Sequence, residues 1–293
     1  KTAYEIVDCD WSSDVCSSDL GAYALTNNTT GNYNSGFGEG ALAENTTASN
    51  NTAVGYQAGY SNTTGYITAV GAGALLSNTT GGGNFAFGGT VPGSYNAALY
   101  ANTTGANNAA FAGGALQANT TGGSNAAFGV GALYNNTTAS SNTAVGYQAG
   151  YSNTTGSLNT AIGNQALYAN TTASSNTAVG HISLTNNTTG SGNTSVGANS
   201  LQSNTTGSSH VAVGLQALYS NTTGAYNTAI GYTALLSNTT GSRSIAIGYQ
   251  AGYSNTTGAI NAIGDGALYS NTTGAGNVAL GGGNNTALYP SLY

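Results

Sequence analysis

Apolar positions recur along this chain with a long, fixed period. A large apolar residue (Phe37, Val54, Val70, Val145, Ile162 or Ile230) is followed almost always by glycine, as at Gly38, Gly55, Gly146 and Gly231. Five residues after the apolar residue stands a leucine (Leu42, Leu75, Leu167, Leu218, Leu268), replaced in three repeats by Gly59, Gly150 and Gly252. Three residues further on, the tripeptide Asn-Thr-Thr closes each repeat. Its asparagines are Asn28, Asn45, Asn62, Asn78, Asn102, Asn119, Asn136, Asn153, Asn170, Asn187, Asn204, Asn221, Asn238, Asn255 and Asn271, spaced by 17 residues in eleven of fourteen steps, by 16 in two and by 24 in one. A short fixed period marks a solenoid.

Within the consensus N-T-A-V/I-G-x-x-A-L-Y-x-N-T-T-G-x-x, two segments read as short strands. T-A-V/I alternates and carries β-branched residues, and A-L-Y forms the second. The glycine after the first strand can take a left-handed turn. Asn-Thr-Thr-Gly supplies the second turn, with side chains suited to bonding nearby backbone. Helix is disfavoured by the Gly, Asn and Thr content between such closely spaced breakers. The expected fold is all-β, a parallel β-solenoid of about fifteen coils of 17 residues with two short strands each. Val/Ile/Phe and Leu columns are expected to fill its interior, with Tyr columns (Tyr60, Tyr134, Tyr151, Tyr168, Tyr219, Tyr253, Tyr269) facing outward or into an interface. At a strand spacing of about 4.8 Å the coils would make a rod roughly 70 Å long. One coil cannot fold alone: about three buried side chains at roughly 1.5–3 kcal/mol each do not offset about 1–2 kcal/mol per ordered residue. Stacking must supply the rest.

Two stretches depart from the pattern. Residues 1–20 (KTAYEIVDCDWSSDVCSSDL) share nothing with the repeats. The segments KTAYEI and DWSSDVCSSDL resemble a translated sequencing-adapter read, which implies that 1–20 is not native and that the array begins mid-repeat at Gly21. The repeat array is then 21–281, with 282–293 a degenerate repeat or cap. Within the array, the 24-residue step carries the insertion Gly89–Ala97 between the two expected strands. Pro92 marks it as a loop, and Val91, Pro92 and Tyr95 make it a candidate contact loop.

Charge is nearly absent. The chain has 2 basic and 8 acidic residues with a net charge of −6, and outside 1–20 only Arg243, Glu39, Glu44 and Asp265 remain. Disorder usually pairs low hydrophobicity with high net charge, so the composition favours a repeat fold. No basic patch points to nucleic acid, and no apolar run approaches a membrane span. Both cysteines lie in 1–20, so they say nothing of redox compartment. His181 and His210 fall in different columns, and no acid/base pair or activated nucleophile can be assembled. No cofactor and no metal are expected, and calcium-binding β-roll repeats would need an Asp in every turn. The expectation is a non-enzymatic chain.

NTAVG at 51–55, 142–146 and 176–180 and NTAIG at 159–163 and 227–231 resemble the head repeats of YadA-type trimeric autotransporter adhesins. GYQAGYSNTTG (55–65, 146–156, 248–258) and ALYSNTTG (217–224, 267–274) are similar to repeat arrays in tail-fibre-domain proteins of bacteria and phages. The resemblance covers residues 21–293. It implies a left-handed β-roll, three rolls side by side as a homotrimer, and attachment at an extracellular, cell-surface or virion location. The repeat is longer than the usual head repeat by its Asn-Thr-Thr turn, and no neck, stalk or anchor accompanies it. The expected role is an adhesive fibre segment with a host-surface protein or glycan as ligand. Alternatives are a rigid spacer in an end-to-end filament, since open strand edges invite stacking, and an ice-binding solenoid, prompted by Thr52, Thr143, Thr160, Thr177, Thr194 and Thr228 but interrupted at Phe85, Val211 and Ile245. All fifteen Asn-Thr-Thr triplets also fit the N-glycosylation pattern. A turn with stacked Asn ladders accounts for the whole Asn-Thr-Thr-Gly motif in one geometry and is the preferred reading.

Overall fold

The computed structural model describes residues 17–90, 93 and 96–282. They fall into two compact units, Lys1–Thr155 and Gly156–Tyr293. The first unit carries β1 (Ser17–Leu20), β2 (Asn34–Phe37), β3 (Thr52–Val54), β4 (Ile67–Val70), β5 (Asn84–Phe87), β6 (Ala109–Phe111), β7 (Ala126–Phe128) and β8 (Thr143–Val145). The second carries β9 (Thr160–Ile162), β10 (Thr177–Val179), β11 (Thr194–Val196), β12 (Val211–Val213), β13 (Thr228–Ile230), β14 (Ile245–Ile247), β15 (Ile260–Ile263) and β16 (Asn277–Leu280). In each unit successive strands pair in parallel and in register, Thr on Thr and Ala on Ala, as in Thr177↔Thr160 and Ala178↔Ala161. Each unit is a parallel β-solenoid. The ladder includes Ser17–Leu20, where Leu20 pairs with Phe37. Parallel pairing uses backbone groups alone, so a stretch without the repeat pattern can complete a rung. The candidate loop residues Val91, Pro92 and Tyr95, and the expected cap beyond 282, lie outside the described residues.

The first expected strand is present in every coil; the second is not. A-L-Y is a pair of tight turns. Ala41 N–H donates to Gly38 O at 3.1 Å and Asn45 N–H to Leu42 O at 3.1 Å, while Leu42 N–H reaches the next coil at Ala58 O. The cause is the leucine backbone: Leu42, Leu75, Leu116, Leu167 and Leu218 all have φ of 52–54°. A left-handed residue costs about 1–2 kcal/mol and cannot continue a strand. Full burial of each leucine, at roughly 1.5–3 kcal/mol, offsets it. Gly59, Gly150 and Gly252 occupy the same position at φ 60–61° and escape that strain. Two of them leave room that isoleucine fills, since a Cβ at Gly59 would lie 2.7 Å from Ile67 Cδ1 and one at Gly252 2.8 Å from Ile260 Cδ1.

The second correction concerns which side of the strand faces inward. The strand alanines are buried (Ala53, Ala69, Ala86, Ala110, Ala178 and Ala229 at 0% exposure), whereas Val54, Phe128 and Ile162 are 39–40% exposed. The interior is an Ala column packed against the Ala-Leu turn. At Gly59, Gly150 and Gly252 that packing brings an added Cβ within 3.7–4.0 Å of a strand alanine Cβ. So thin a core admits little more than a methyl group from the middle of the strand, with Ser195 as the one larger exchange, and the isoleucines Ile67 and Ile260 turn inward only where Gly59 and Gly252 make room. The bulkier Val, Ile and Phe point outward, as does Thr, because side chains alternate along a strand.

The glycine after each strand is required by close approach. A Cβ on Gly38 (φ +129°) would lie 2.6 Å from Gly55 O. The one described departure in that column is Ala112, held at φ 103°. The insertion is accommodated at the same bend: Ala98 N–H donates to Gly88 O at 3.0 Å, closing a loop where other coils close a tight turn.

Candidate interaction surface

Three kinds of surface carry the side chains singled out by the repeat. On the outer strand face, Phe37, Val54, Val70, Phe87, Phe111 and Phe128 line one column of the first unit. Phe87, Phe111 and Phe128 stack ring on ring at 5.0 and 4.6 Å. In the second unit Ile162, Val179, Val196, Val213, Ile230 and Ile247 repeat the pattern. The neighbouring outward column carries Thr52 and Thr143 in the first unit and Thr160, Thr177, Thr194 and Thr228 in the second, with Phe85, Val211 and Ile245 also outward. Across the Ala/Leu core, the turn face carries half-buried tyrosines, stacked at 5.0 Å for Tyr134–Tyr151 and 4.9 Å for Tyr253–Tyr269.

The Asn-Thr-Thr asparagines are interior. In the first unit Asn45 to Asn153, and in the second Asn170 to Asn255, are at most 1% exposed, and only Asn28 and Asn271 are less buried. Most of these amide nitrogens donate twice. Asn119 Nδ2 bonds Asn102 Oδ1 at 2.7 Å and Gly122 O at 2.9 Å. Asn204 Nδ2 bonds Asn187 Oδ1 at 2.8 Å and Gly207 O at 2.9 Å. One bond closes the coil's own turn and the other ties it to the coil before. The ladder crosses the 24-residue coil intact, with Asn102 Nδ2 to Asn78 Oδ1 at 2.8 Å. A glycan on such a nitrogen would remove a donor and require the ladder to open. The following threonine adds a third tie, as in Thr120 Oγ1 to Thr137 O at 3.1 Å.

Sequence reasoning passed over a second ladder, formed by the asparagine that begins N-T-A-V. Asn108 Oδ1 accepts the backbone N–H of Asn125, and Asn125 Oδ1 that of Asn142, both at 3.0 Å. Its signal was the recurrence of Asn34, Asn51, Asn108, Asn142 and Asn193 at one column. His210 takes this position in one coil: its Nδ1 accepts from Asn227 N–H at 3.2 Å, and Asn221 Nδ2 lies 3.2 Å from Nε2. Burial holds its pKa down, from 6.5 to about 4, against the opposing pull of backbone hydrogen bonds at Gly224 and Asn227. A neutral ring accepting at Nδ1 carries its proton on Nε2. His210 therefore acts as a structural acceptor with no base, nucleophile or metal partner beside it.

Among the described residues no group of three His, Cys, Asp or Glu side chains could hold a metal ion, and no helix is long and apolar enough to cross a membrane. No protein-family model matches the chain, and neither a curated protein nor a solved structure is significantly similar to it.

Proposed function

We propose that the chain is a non-enzymatic fibre segment of a bacterial surface adhesin or phage tail fibre, working outside the cell through its two repetitive outer faces. The observation that carries this reading is the division of labour between them. The strand face is a mainly apolar and threonine surface within each unit, with Ser35 and Asn261 standing in its threonine column, and the turn face is tyrosine-rich and nearly uncharged. Large apolar faces seek cover, and identical columns are self-complementary along a stack. The strand face is therefore assigned to contact between copies of this chain in a homotrimer. The tyrosine face combines apolar area with hydroxyls and suits a host-surface protein or glycan.

Beads coated with the full chain should adhere to glycan-coated or protein-coated surfaces. Adhesion should change little between low and physiological salt, because an uncharged face has little to screen. Beads that hold neither surface, or that release on modest salt, contradict the reading. A second reading gains from the strand geometry. Thr and Val/Ile both point outward two residues apart, giving a regular array of the sort an ice-binding face needs. Thermal hysteresis in a solution of the chain would support it, and a null result would remove it.

A further inference from the structure

Residues 21–293 contain neither cysteine nor lysine, so neither a disulfide nor a lysine-derived bond can tie one coil to the next. Tyrosine is the side chain left that can bond covalently to its own kind, and three pairs are held one coil apart. In the first unit Tyr134 and Tyr151 stack with ring centres 5.0 Å apart and planes within 7°. In the second, Tyr253 and Tyr269 stack at 4.9 Å and 7°, and Tyr232 and Tyr249 at 5.3 Å and 9°. Backbone bonds fix each pair in place. Asn135 N–H donates to Tyr151 O at 3.0 Å, Ser254 N–H to Tyr269 O at 3.0 Å, and Gln250 N–H to Tyr232 O at 2.9 Å. Free aromatic pairs settle into offset or edge-on contacts over a range of distances. Here the separation is close to that of the rungs, about 4.8 Å, so the ladder sets it. The rings are also within reach of solvent: Tyr232, Tyr249 and Tyr269 are 39–52% exposed, and the other three are half-buried.

We infer that these pairs are sites of oxidative dityrosine cross-linking, in which hydrogen peroxide and a one-electron oxidation catalyst tie a coil to its neighbour within one chain. Each phenol gives up one electron and its hydroxyl proton. An ortho carbon of one ring then bonds to an ortho carbon of the other. The hydrogens those carbons carried move to the two oxygens as protons, which restores both phenols. In sum, two tyrosines lose two hydrogens and one hydrogen peroxide becomes two waters. Coupling of separate phenols waits on the meeting of two radicals. A stack removes that wait, because the second ring already stands one rung from the first. The remaining motion is a rocking of the rings toward each other, which side chains on a surface turn have room to make. The new bond closes a loop of one coil, as a disulfide would. The same face supplies its own contrast. Tyr60, Tyr100 and Tyr219 occupy the column of Tyr134 and Tyr253 and are likewise half-buried, but the coils on either side of them carry Ala43, Leu76, Gln117, Gln202 or Leu236 there. Exposure alone would make all these tyrosines equally reactive; stacking separates them.

The test treats the full chain, dilute enough that chains do not couple to one another, with hydrogen peroxide and a haem peroxidase. Dityrosine is read by its fluorescence and, after peptic digestion, by mass spectrometry of joined peptides. The treated chain should keep one chain mass in denaturant and lose two hydrogens for each link. Its joined peptides should connect Tyr134 to Tyr151, Tyr253 to Tyr269 and Tyr232 to Tyr249. Tyr151→Phe together with Tyr249→Phe and Tyr253→Phe keeps every ring but leaves no pair of phenols, and should lower the fluorescence on the order of tenfold. Tyr60→Phe together with Tyr100→Phe and Tyr219→Phe removes as many phenols from unstacked positions and should leave it unchanged. The inference is overturned if the two triple variants lose fluorescence alike, if dityrosine appears only in multiples of the chain mass, or if the joined peptides connect unstacked tyrosines instead. The peptide map of the parent chain decides the matter if a variant fails to fold.

Discussion

The two asparagine columns run side by side through the interior, yet they tolerate change very differently. The Asn-Thr-Thr column is asparagine in all fifteen repeats, while the N-T-A-V column admits His210, Ser244, Ile67 and Ile260. The difference lies in what each amide does. In the first column one side chain must donate twice and accept once: Asn119 Nδ2 serves Asn102 Oδ1 and Gly122 O, and its Oδ1 takes Asn136 Nδ2. No other side chain of that length has this inventory. In the second column the coil-to-coil duty is to accept the next coil's N–H, and three kinds of atom do it: Asn193 Oδ1 for His210, His210 Nδ1 for Asn227, and Ser244 Oγ for Ile260. Invariance here follows from the number of bonds a position must make, not from burial, since both columns are buried.

The sharpest way to break this comparison is the same substitution in each column. Asn119→Ser should cost about 3 kcal/mol or more, because three buried partners lose their bonds. Asn193→Ser, which keeps the one acceptance and the one donation that Ser244 already makes in this column, should cost roughly 1 kcal/mol. Chemical denaturation of the two variants measures the gap, and equal losses would sink the distinction.

Between those two in size is an acid effect at His210. Its folded pKa, about 4, lies below the ordinary value of 6.5. The unfolded chain therefore binds the extra proton first as pH falls. Stability at this site is fully present above about pH 6.5 and declines toward pH 4, by roughly 2–3 kcal/mol in all. His210→Asn should remove that dependence, and parallel unfolding curves at both pH values for parent and variant would contradict the assignment. The smallest effect is expected at the glycine bend. Ala112 at φ 103° departs from a column of glycines, so Ala112→Gly should raise stability by about 1 kcal/mol. A lowered melting temperature would show that this residue is not strained.

Much of the architecture can be read from the residues. The period, the Asn-Thr-Thr turn and the glycine bend all follow from chemistry local to one coil. The direction of the strand does not. T-A-V has two phases one residue apart, and either Ala or the Thr/Val pair can face inward. Hydrophobicity favours Val, but the space between strand and turn admits only Ala53 or its equivalents. A signal was present, because the outward column exchanges Phe, Val, Ile and Leu of quite different volume, as a packed interior rarely allows. From β2 onward the strand alanine varies only to Gly36 and Ser195, and Ser195 is accommodated by two further buried serines, Ser183 and Ser200, that bond it. The A-L-Y segment was misjudged as a strand for a related reason. Gly59, Gly150 and Gly252 replace leucine at a position of positive φ, and interchange with glycine marks backbone conformation rather than side-chain size.

The account stands most directly on the mass of the full chain in solution, measured by light scattering after size exclusion. Burial of the Val/Ile/Phe strand face between copies predicts three chain masses, reduced to one by Phe111→Lys together with Ile230→Lys, two exchanges at outward positions that leave the Ala core untouched. A parent chain that stays at one chain mass at high concentration would contradict it.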